Sequence, residues 1–248
     1  MHNTHATPVV LITGASKRIG AAIARHFHAQ GFFVVLHYHT SRVLAERLWQ
    51  ELETARPHAS LLVQADITNV MALQQMMASL AERCGRLDVL INNASRFYAC
   101  PFSETTEAQF DELMDSNLKG LYFLTQAALP LLKAAQGAVV NLLDTQVSLS
   151  LPNFSAYFIG KAAAEALTRT LAVELAPSVR VNAVAPGYIL WPEEVSLSEA
   201  EKEARVNSIP MGRIGTPEEV AQAVYFLATG PHYITGQTLR VDGARAIA

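Results

Sequence analysis

Short apolar runs alternate with helix-patterned stretches along the whole chain, and this alternation is the tightest constraint on how it folds. Val9–Ile12, Phe32–His39, Leu61–Val63, Leu87–Ile91, Ala138–Leu143, Val179–Val184 and Thr238–Val241 read as strands. Helices are predicted up to about Gln30, over Ser41–Thr54, Val70–Arg83 and Glu107–Lys133, along an Ala-rich segment beginning near Ser155, and over Pro217–Thr229. Leu44, Leu48 and Leu52 are expected to share one face. Unbroken strand–helix alternation implies an α/β fold. Its expected form is one doubly wound parallel sheet of about seven strands with helices on both faces.

The length of 248 residues suits a single domain, 1–248, with no linker, repeat or low-complexity segment. Half of the residues are hydrophobic and the net charge is −3, which argues against disorder and against general affinity for nucleic acid. No apolar run reaches membrane-spanning length, and the run Val9–Ile12 after a polar start is too short for a signal peptide's core and cleavage site. Cys84 and Cys100 do not suggest a disulfide framework, so a reducing cytoplasm is the expected location.

The first strand runs into Thr13-Gly14-Ala15-Ser16-Lys17-Arg18-Ile19-Gly20, which opens a helix. Strand, glycine turn and helix N-terminus suit an anion, because backbone N–H groups and the helix dipole face it. The common G-x-G-x-x-G dinucleotide pattern is absent, and a plain capping turn is the competing reading. At the end of the second strand an NAD site places a carboxylate for the ribose 2′-OH. Here stand His37, Tyr38, His39, Thr40, Ser41 and Arg42, with no acidic residue before Glu46. With Lys17, Arg18 and Arg42 basic and Ser41 a hydroxyl, a 2′-phosphate meets no repulsion, so NADP(H) is expected. Each basic residue taken alone reads first as solvated surface. His37 and His39 lack Cys or carboxylate companions, so no metal site is expected.

Further along, Asp66 either accepts from an adenine amino group or caps its turn. Asn92-Asn93-Ala94-Ser95 ends the fourth strand, where ligands bind in such sheets. Phe97 follows, either as a stacking face or as a loop anchor. Asn117 sits within a helical stretch at some cost in propensity. The segment 188–210 is predicted to be a substrate lid. It carries Glu193, Glu194, Glu199 and Glu201, with Trp191 as an apolar wall and Ser198 with Glu201 as a capping box.

The chemistry concentrates between Asp144 and Lys161. Tyr157 and Lys161 lie one helical turn apart, and an ammonium beside a phenol is expected to lower a pKa that otherwise lies near ~10. Alone, Tyr-x-x-x-Lys is commonplace. Together with Thr13-Gly14 and Gly20, Asn92-Asn93-Ala94, Asn117 and Pro186-Gly187 in order, the chain resembles the short-chain dehydrogenase/reductases over nearly its whole length. Three departures resemble the pteridine reductase branch: Asp144 where the family carries Ser, Arg18 for the middle glycine, and Ser95 for the glycine after Asn-Asn-Ala.

The resemblance implies a Rossmann-type fold and a homotetramer. It makes Tyr157, Lys161, Asn117 and Asp144 the catalytic set. It places cofactor contacts at Gly14, Lys17, Arg18, Ile19 and Gly20 in the turn, and at His37, Tyr38, His39 and Ser41 after the second strand. Asp66, Ile67, Asn93, Ala94 and Ser95 would follow, with Tyr157, Lys161, Pro186 and Gly187 at the nicotinamide end. Substrate contacts would come from Arg18, Ser95, Phe97, Asp144, Tyr157 and Trp191. The implied reaction is NADPH-dependent reduction of a pterin or folate. Thr40, where many relatives carry Arg, leaves the 2′-phosphate contacts open. An ionised carboxylate at 144 only accepts hydrogen bonds, which suits an N–H-bearing heterocycle better than a developing alkoxide. The first rival is a 3-oxoacyl or small-ketone reductase of the same fold, and the second is a non-catalytic NADP-binding sensor.

Overall fold

A computed structural model describes residues 7–149, 151–191 and 197–248. Its strands are β1 Val9–Ile12, β2 Phe33–Tyr38, β3 Ser60–Gln64, β4 Val89–Asn92, β5 Ala138–Leu142, β6 Arg180–Pro186 and β7 Thr238–Val241. Its helices are α1 Arg18–Ala29, α2 Arg42–Ala55, α3 Val70–Cys84, α4 Glu107–Met114, α5 Gly120–Ala135, α6 Ser155–Glu174, α7 Glu199–Asn207 and α8 Pro217–Thr229. The seven strands form one sheet in the order β3-β2-β1-β4-β5-β6-β7, every pairing parallel. The order reverses between β1 and β4, and the crevice at the carboxyl ends of these strands is where such sheets bind ligands.

Strand periodicity divides the core. Val10, Ile12, Val34 and Leu36 point to the side of α1 and α8, while Val9, Leu11, Val35 and Leu90 point to the side of α3 and α5. On the first side Phe27 makes edge contacts with Phe32 and Tyr225, at centroid separations of 5.0 and 5.2 Å. Inside the sheet, paired Asn92 and Asn141 form a polar strut: Asn92 donates to Asn141 at 2.9 Å, and Asn141 donates to Thr168 of α6 at 2.9 Å. Buried Arg180 donates to the carbonyls of Leu227 and Ala228, which closes the C-terminal end of α8.

One expectation is corrected. Leu44 is 41% exposed, while Ala45, Leu48 and Leu52 form the buried face of α2. Steps of four drift by about 40° each on a helix with 3.6 residues per turn, so the stripe centres on i, i+3, i+7. The stretch 107–133 is helical throughout, as expected. A π turn over Asp115–Lys119 separates α4 from α5 and holds Asn117. Among the described residues, no helix is long and apolar enough to cross a membrane.

Candidate active site

The turn after β1 is built by its neighbours in the sheet. Thr13 Oγ1 accepts from the N–H groups of Asn93 and Ala94, both at 2.9 Å. The Asn93 amide donates to the carbonyls of Thr13 and Gly14. Gly20 closes against this assembly: a Cβ there would lie 2.3 Å from the Gly14 oxygen, so only glycine fits. His37 lies beneath the turn and is 1% exposed. Its Nδ1 accepts from the Gly14 N–H at 3.2 Å, so Nε2 carries the proton and donates to Ala65 O at 3.1 Å. Burial pushes the imidazole down to about 4 and keeps it neutral. Asn93 and His37 therefore brace the turn from inside.

Tyr38 is buried, with its hydroxyl toward Gln64. His39 is outside, 3.7 Å from Asp66. Asp66 caps its own turn, accepting from the N–H and hydroxyl of Thr68, and this is the second of its two sequence readings. Ser41 is the N-cap residue of α2 without a capping side-chain bond. Arg42 is held by Glu46 at 2.7 Å. Lys17 precedes α1. Arg18 has φ +54°, the left-handed region disfavoured for a side chain, and donates to Trp191 O at 3.3 Å. The turn and the start of the expected lid are thus joined. Residues 192–196 of that lid, including Glu193 and Glu194, lie outside the described residues. Beyond them α7 opens with the expected capping box of Ser198 and Glu201.

Beyond the end of β4 Ser95 is exposed, and after β3 Ile67 is half-buried. Phe97 stacks on Phe154 at 4.7 Å and 9°, and meets Tyr157 edge-on at 4.8 Å. The Asn117 amide donates to Arg96 O at 3.0 Å and Leu113 O at 2.9 Å, while its Oδ1 finds no partner among the described residues. Gly160 permits this approach, since a Cβ there would sit 3.2 Å from Asn117 Cβ.

Asp144 follows β5 and caps a 3₁₀ turn over Thr145–Ser148. Its Oδ1 accepts from the Gln146 N–H at 2.8 Å, and its Oδ2 accepts from Tyr157 Oη at 3.0 Å. Thr145 turns away and donates to Pro186 O, which weighs against it as a replacement for the family's Ser. Tyr157 and Lys161 are both buried. Lys161 Nζ donates to Leu142 O at 2.9 Å and lies 5.8 Å from the Tyr157 ring centroid.

This geometry corrects the expected electrostatics. Burial first, then the charge of Asp144 and the hydrogen bond to it, hold the Tyr157 phenol well above its ordinary pKa. Burial raises Asp144 too, partly offset by the Gln146 N–H, Tyr157, Lys161 and Arg245. Lys161 itself is pushed down to about 8 by burial, against the pull of Asp144. Its ammonium donates to a backbone carbonyl, and burial first, then Asp144, accounts for the raised phenol.

Three residues at the site carried no sequence signal. Phe154 backs Phe97. Tyr188, next to Pro186-Gly187, lies under the guanidinium of Arg245 with Cζ 4.2 Å from its ring centroid. Arg245 belongs to a terminal 3₁₀ turn over Arg245–Ile247, 57 residues from Tyr188.

A crevice at the switch point of a parallel sheet, with a glycine turn feeding a helix and a Tyr–Lys pair beside it, defines a nucleotide-dependent oxidoreductase fold. A family model described as enoyl-(acyl carrier protein) reductase matches residues 14–244. The chain is 34% identical to pteridine reductase 1 of Leishmania tarentolae over 287 aligned positions, covering 100% of this chain and 99% of the relative. It is 35% identical to a 3-oxoacyl-[acyl-carrier-protein] reductase of Staphylococcus aureus over 240 positions, 96% of this chain and 97% of the relative. An uncharacterized oxidoreductase of Methylorubrum extorquens matches at 33% over 240 positions, 95% and 96% of the two chains. The chain belongs to the short-chain dehydrogenase/reductase family of NAD(P)-dependent oxidoreductases.

The turn fits such a cofactor. No side chain caps α1 and no acidic residue lies in its first turn, so no side chain competes for its leading N–H groups. The start of α1 therefore suits a pyrophosphate.

Proposed function

We propose that this protein is an NADPH-dependent pteridine reductase that takes a 7,8-dihydropterin to the tetrahydro form. Oxidised pterin and dihydrofolate are further substrates to compare. The observation that carries this reading is the 3.0 Å hydrogen bond from Tyr157 to Asp144. A carbonyl reductase needs a second donor where the alkoxide develops, and a carboxyl that has passed its proton on to Tyr157 becomes an anion that repels it. A dihydropterin instead needs a proton on its ring nitrogen and offers N–H groups to an acceptor. The exposed aromatic face of Phe97 beside Tyr157 suits a flat heterocycle.

When bound, NADPH would supply the hydride that reduces the pterin C=N bond at its carbon. Tyr157 gives its proton to the nitrogen, and Asp144, whose pKa burial raises, returns a proton to Tyr157 across their contact. Lys161 keeps the strand end in place through Leu142 O and, with Asn117, bounds the nicotinamide end. Gly14, Ile19, Gly20 and the positive charge of Lys17 and Arg18 hold the phosphates. His39, Ser41 and Arg42 would meet the 2′-phosphate, which would compete with Glu46 for Arg42 and with Asp66 for His39. Ala94, Ser95, Pro186 and Gly187 line the crevice, and Trp191 walls the substrate side.

A 3-oxoacyl reductase is the second reading, favoured by the equally similar Staphylococcus relative and by the raised pKa of Asp144, which when protonated donates as a Ser does. The test is NADPH oxidation with dihydrobiopterin, dihydrofolate and a 3-oxoacyl thioester, for wild type and Asp144→Ser. Turnover confined to pterins and lost in the variant supports the proposal. Turnover confined to the thioester and kept in the variant overturns it.

The same reading includes a homotetramer. A groove of about 690 Å³ between α5 and α6, lined by Leu118, Tyr122, Phe123, Ala163 and Leu167, offers an apolar face. Ala163 lies on this outer face, whereas Ala164 packs toward the sheet. Light scattering at micromolar protein measures the assembly directly.

A further inference from the structure

The chain ends in a turn that is built rather than frayed. Asp242 accepts from the N–H groups of Ala244 and Ala246 at 3.1 and 3.0 Å. This turn places Arg245 over Tyr188. The guanidinium donates from Nη2 to the Tyr188 hydroxyl at 3.2 Å and from Nε to Ser208 Oγ at 3.4 Å. Arg205 approaches the same ring at 5.6 Å. No carboxylate among the described residues pairs with Arg245, and its Nη1 is buried without a hydrogen-bond partner among them.

A second buried group lacks a partner next door. The terminal turn packs against the 3₁₀ turn that follows Asp144. Gln146 of that turn is 8% exposed, and its Oε1 has no partner among the described residues. Its own N–H fixes Asp144 Oδ1 at 2.8 Å. An unused donor and an unused acceptor therefore lie in the two packed turns next to Asp144. Leaving either buried and unpaired is costly, and a ligand with the complementary edge removes the cost. The amide edge of a 2-amino-4-oxopyrimidine presents an oxygen acceptor beside N–H donors. A 3-oxoacyl chain presents oxygens alone.

We propose that Arg245 is a substrate-positioning residue, its Nη1 receiving the ring carbonyl of the pterin while Gln146 Oε1 accepts an adjacent N–H. This rests on the pteridine reductase reading. It makes the terminal turn part of the specificity apparatus. It also gives Arg245 a second effect. Asp144 is faced by Tyr157 and Lys161 from α6, by the Gln146 N–H from its own turn and by Arg245 from the terminal turn. Glu165 and Arg240 line the small cavity behind it. Arg245 opposes the rise that burial imposes on the Asp144 pKa, so its removal moves that pKa further up.

The experiment compares wild type, Arg245→Gln, Arg245→Lys and Gln146→Leu. It follows steady-state kinetics with NADPH and dihydrobiopterin across pH, together with thermal melting. Arg245→Gln raises the dihydropterin KM about tenfold or more and leaves the NADPH KM unchanged. It also moves the alkaline fall in kcat to higher pH. Arg245→Lys restores the pH profile by its charge but not the KM, because an ammonium lacks the guanidinium fork. Gln146→Leu raises the KM and leaves the pH profile in place. An unchanged dihydropterin KM in both Arg245 variants overturns the proposal, as does an equal loss of NADPH and pterin affinity. If Arg245→Gln does not fold, the Arg245→Lys KM decides alone. Wild-type protein that reduces no pterin sinks the pteridine reading and this inference together. Wild-type pterin turnover with indifferent Arg245 variants sinks the inference only.

Discussion

Tyr157 donates its hydroxyl proton to Asp144 at 3.0 Å, and that bond, with the burial of both groups, keeps the phenol protonated. A buried carboxyl with a raised pKa is a proton store only while protonated. In the proposed relay, kcat with a dihydropterin therefore falls as pH rises through the Asp144 pKa, which lies above its ordinary value. Asp144→Asn keeps the shape and removes the titration. Its kcat should drop about 10²–10⁴-fold and lose that limb. A pH profile identical to wild type in Asp144→Asn would sink the relay.

Lys161 is a buried cation whose pKa falls to about 8 in the folded chain, against 10.5 as its ordinary value. Between these values the unfolded chain binds more protons, so stability rises with pH, by up to about 3 kcal/mol in all. Tyr157 acts in the opposite sense only above its own ordinary range, which leaves pH 8 to 10 as the window. Urea unfolding across that window should show wild type gaining stability relative to Lys161→Met. The same variant should lose most activity and weaken NADPH binding. Parallel stability curves for the two proteins would contradict the buried charge.

The fold was legible where burial is two-sided. Val9–Ile12 is apolar throughout because both faces of β1 are covered, and a continuous apolar run bounded by a glycine turn admits few other readings. Leu44 misled because a step of four looks periodic in sequence but drifts around a helix. The break at Asn117 was visible as a poor helix former, but the π turn arises from packing: Asn117 is pinned between Arg96 O and Leu113 O while Gly160 admits α6 beside it. Asp144, Tyr157 and Lys161 were legible by spacing. What spacing cannot convey is where Nζ points. The lysine reaches back to Leu142 on the preceding strand, and the state of the phenol follows from its burial and from Asp144. Arg245 was invisible for a related reason: its partners Tyr188 and Ser208 lie far off in the chain and meet it only through the turn set by Asp242.

His37 gives a prediction for the cofactor turn. The imidazole links the Gly14 N–H to Ala65 O and is held down to about 4 by burial. Unfolded histidine binds protons from about 6.5 downward. Stability is therefore lost as pH falls from about 6.5 to 4, by up to about 3 kcal/mol. His37→Leu should remove that dependence. It leaves two buried backbone groups unpaired, so it should also cost about 2–4 kcal/mol at pH 7. Because the link supports the turn, the NADPH KM should rise in the same variant. A variant with wild-type stability at pH 7 and the same acid-side loss would show that the bridge is not made.

Phe97 and Phe154 lie nearly parallel at 4.7 Å, so one face of Phe97 is already covered and its orientation against Tyr157 depends on the partner ring. If Phe97 is the stacking face for the pterin, Phe97→Leu should raise the dihydropterin KM about tenfold, in keeping with the ~0.5–1.5 kcal/mol of a good aromatic pair plus lost contact area. The NADPH KM should not change. Phe154→Ala should raise the dihydropterin KM less, about threefold, because it acts only by letting Phe97 turn. The double variant discriminates between indirect and direct contact. A supporting partner has nothing left to support once Phe97 is gone, so the double variant should match Phe97→Leu alone. Strict additivity would mean that Phe154 touches the substrate itself, and an unchanged KM in Phe97→Leu would remove the aromatic platform from the proposed site.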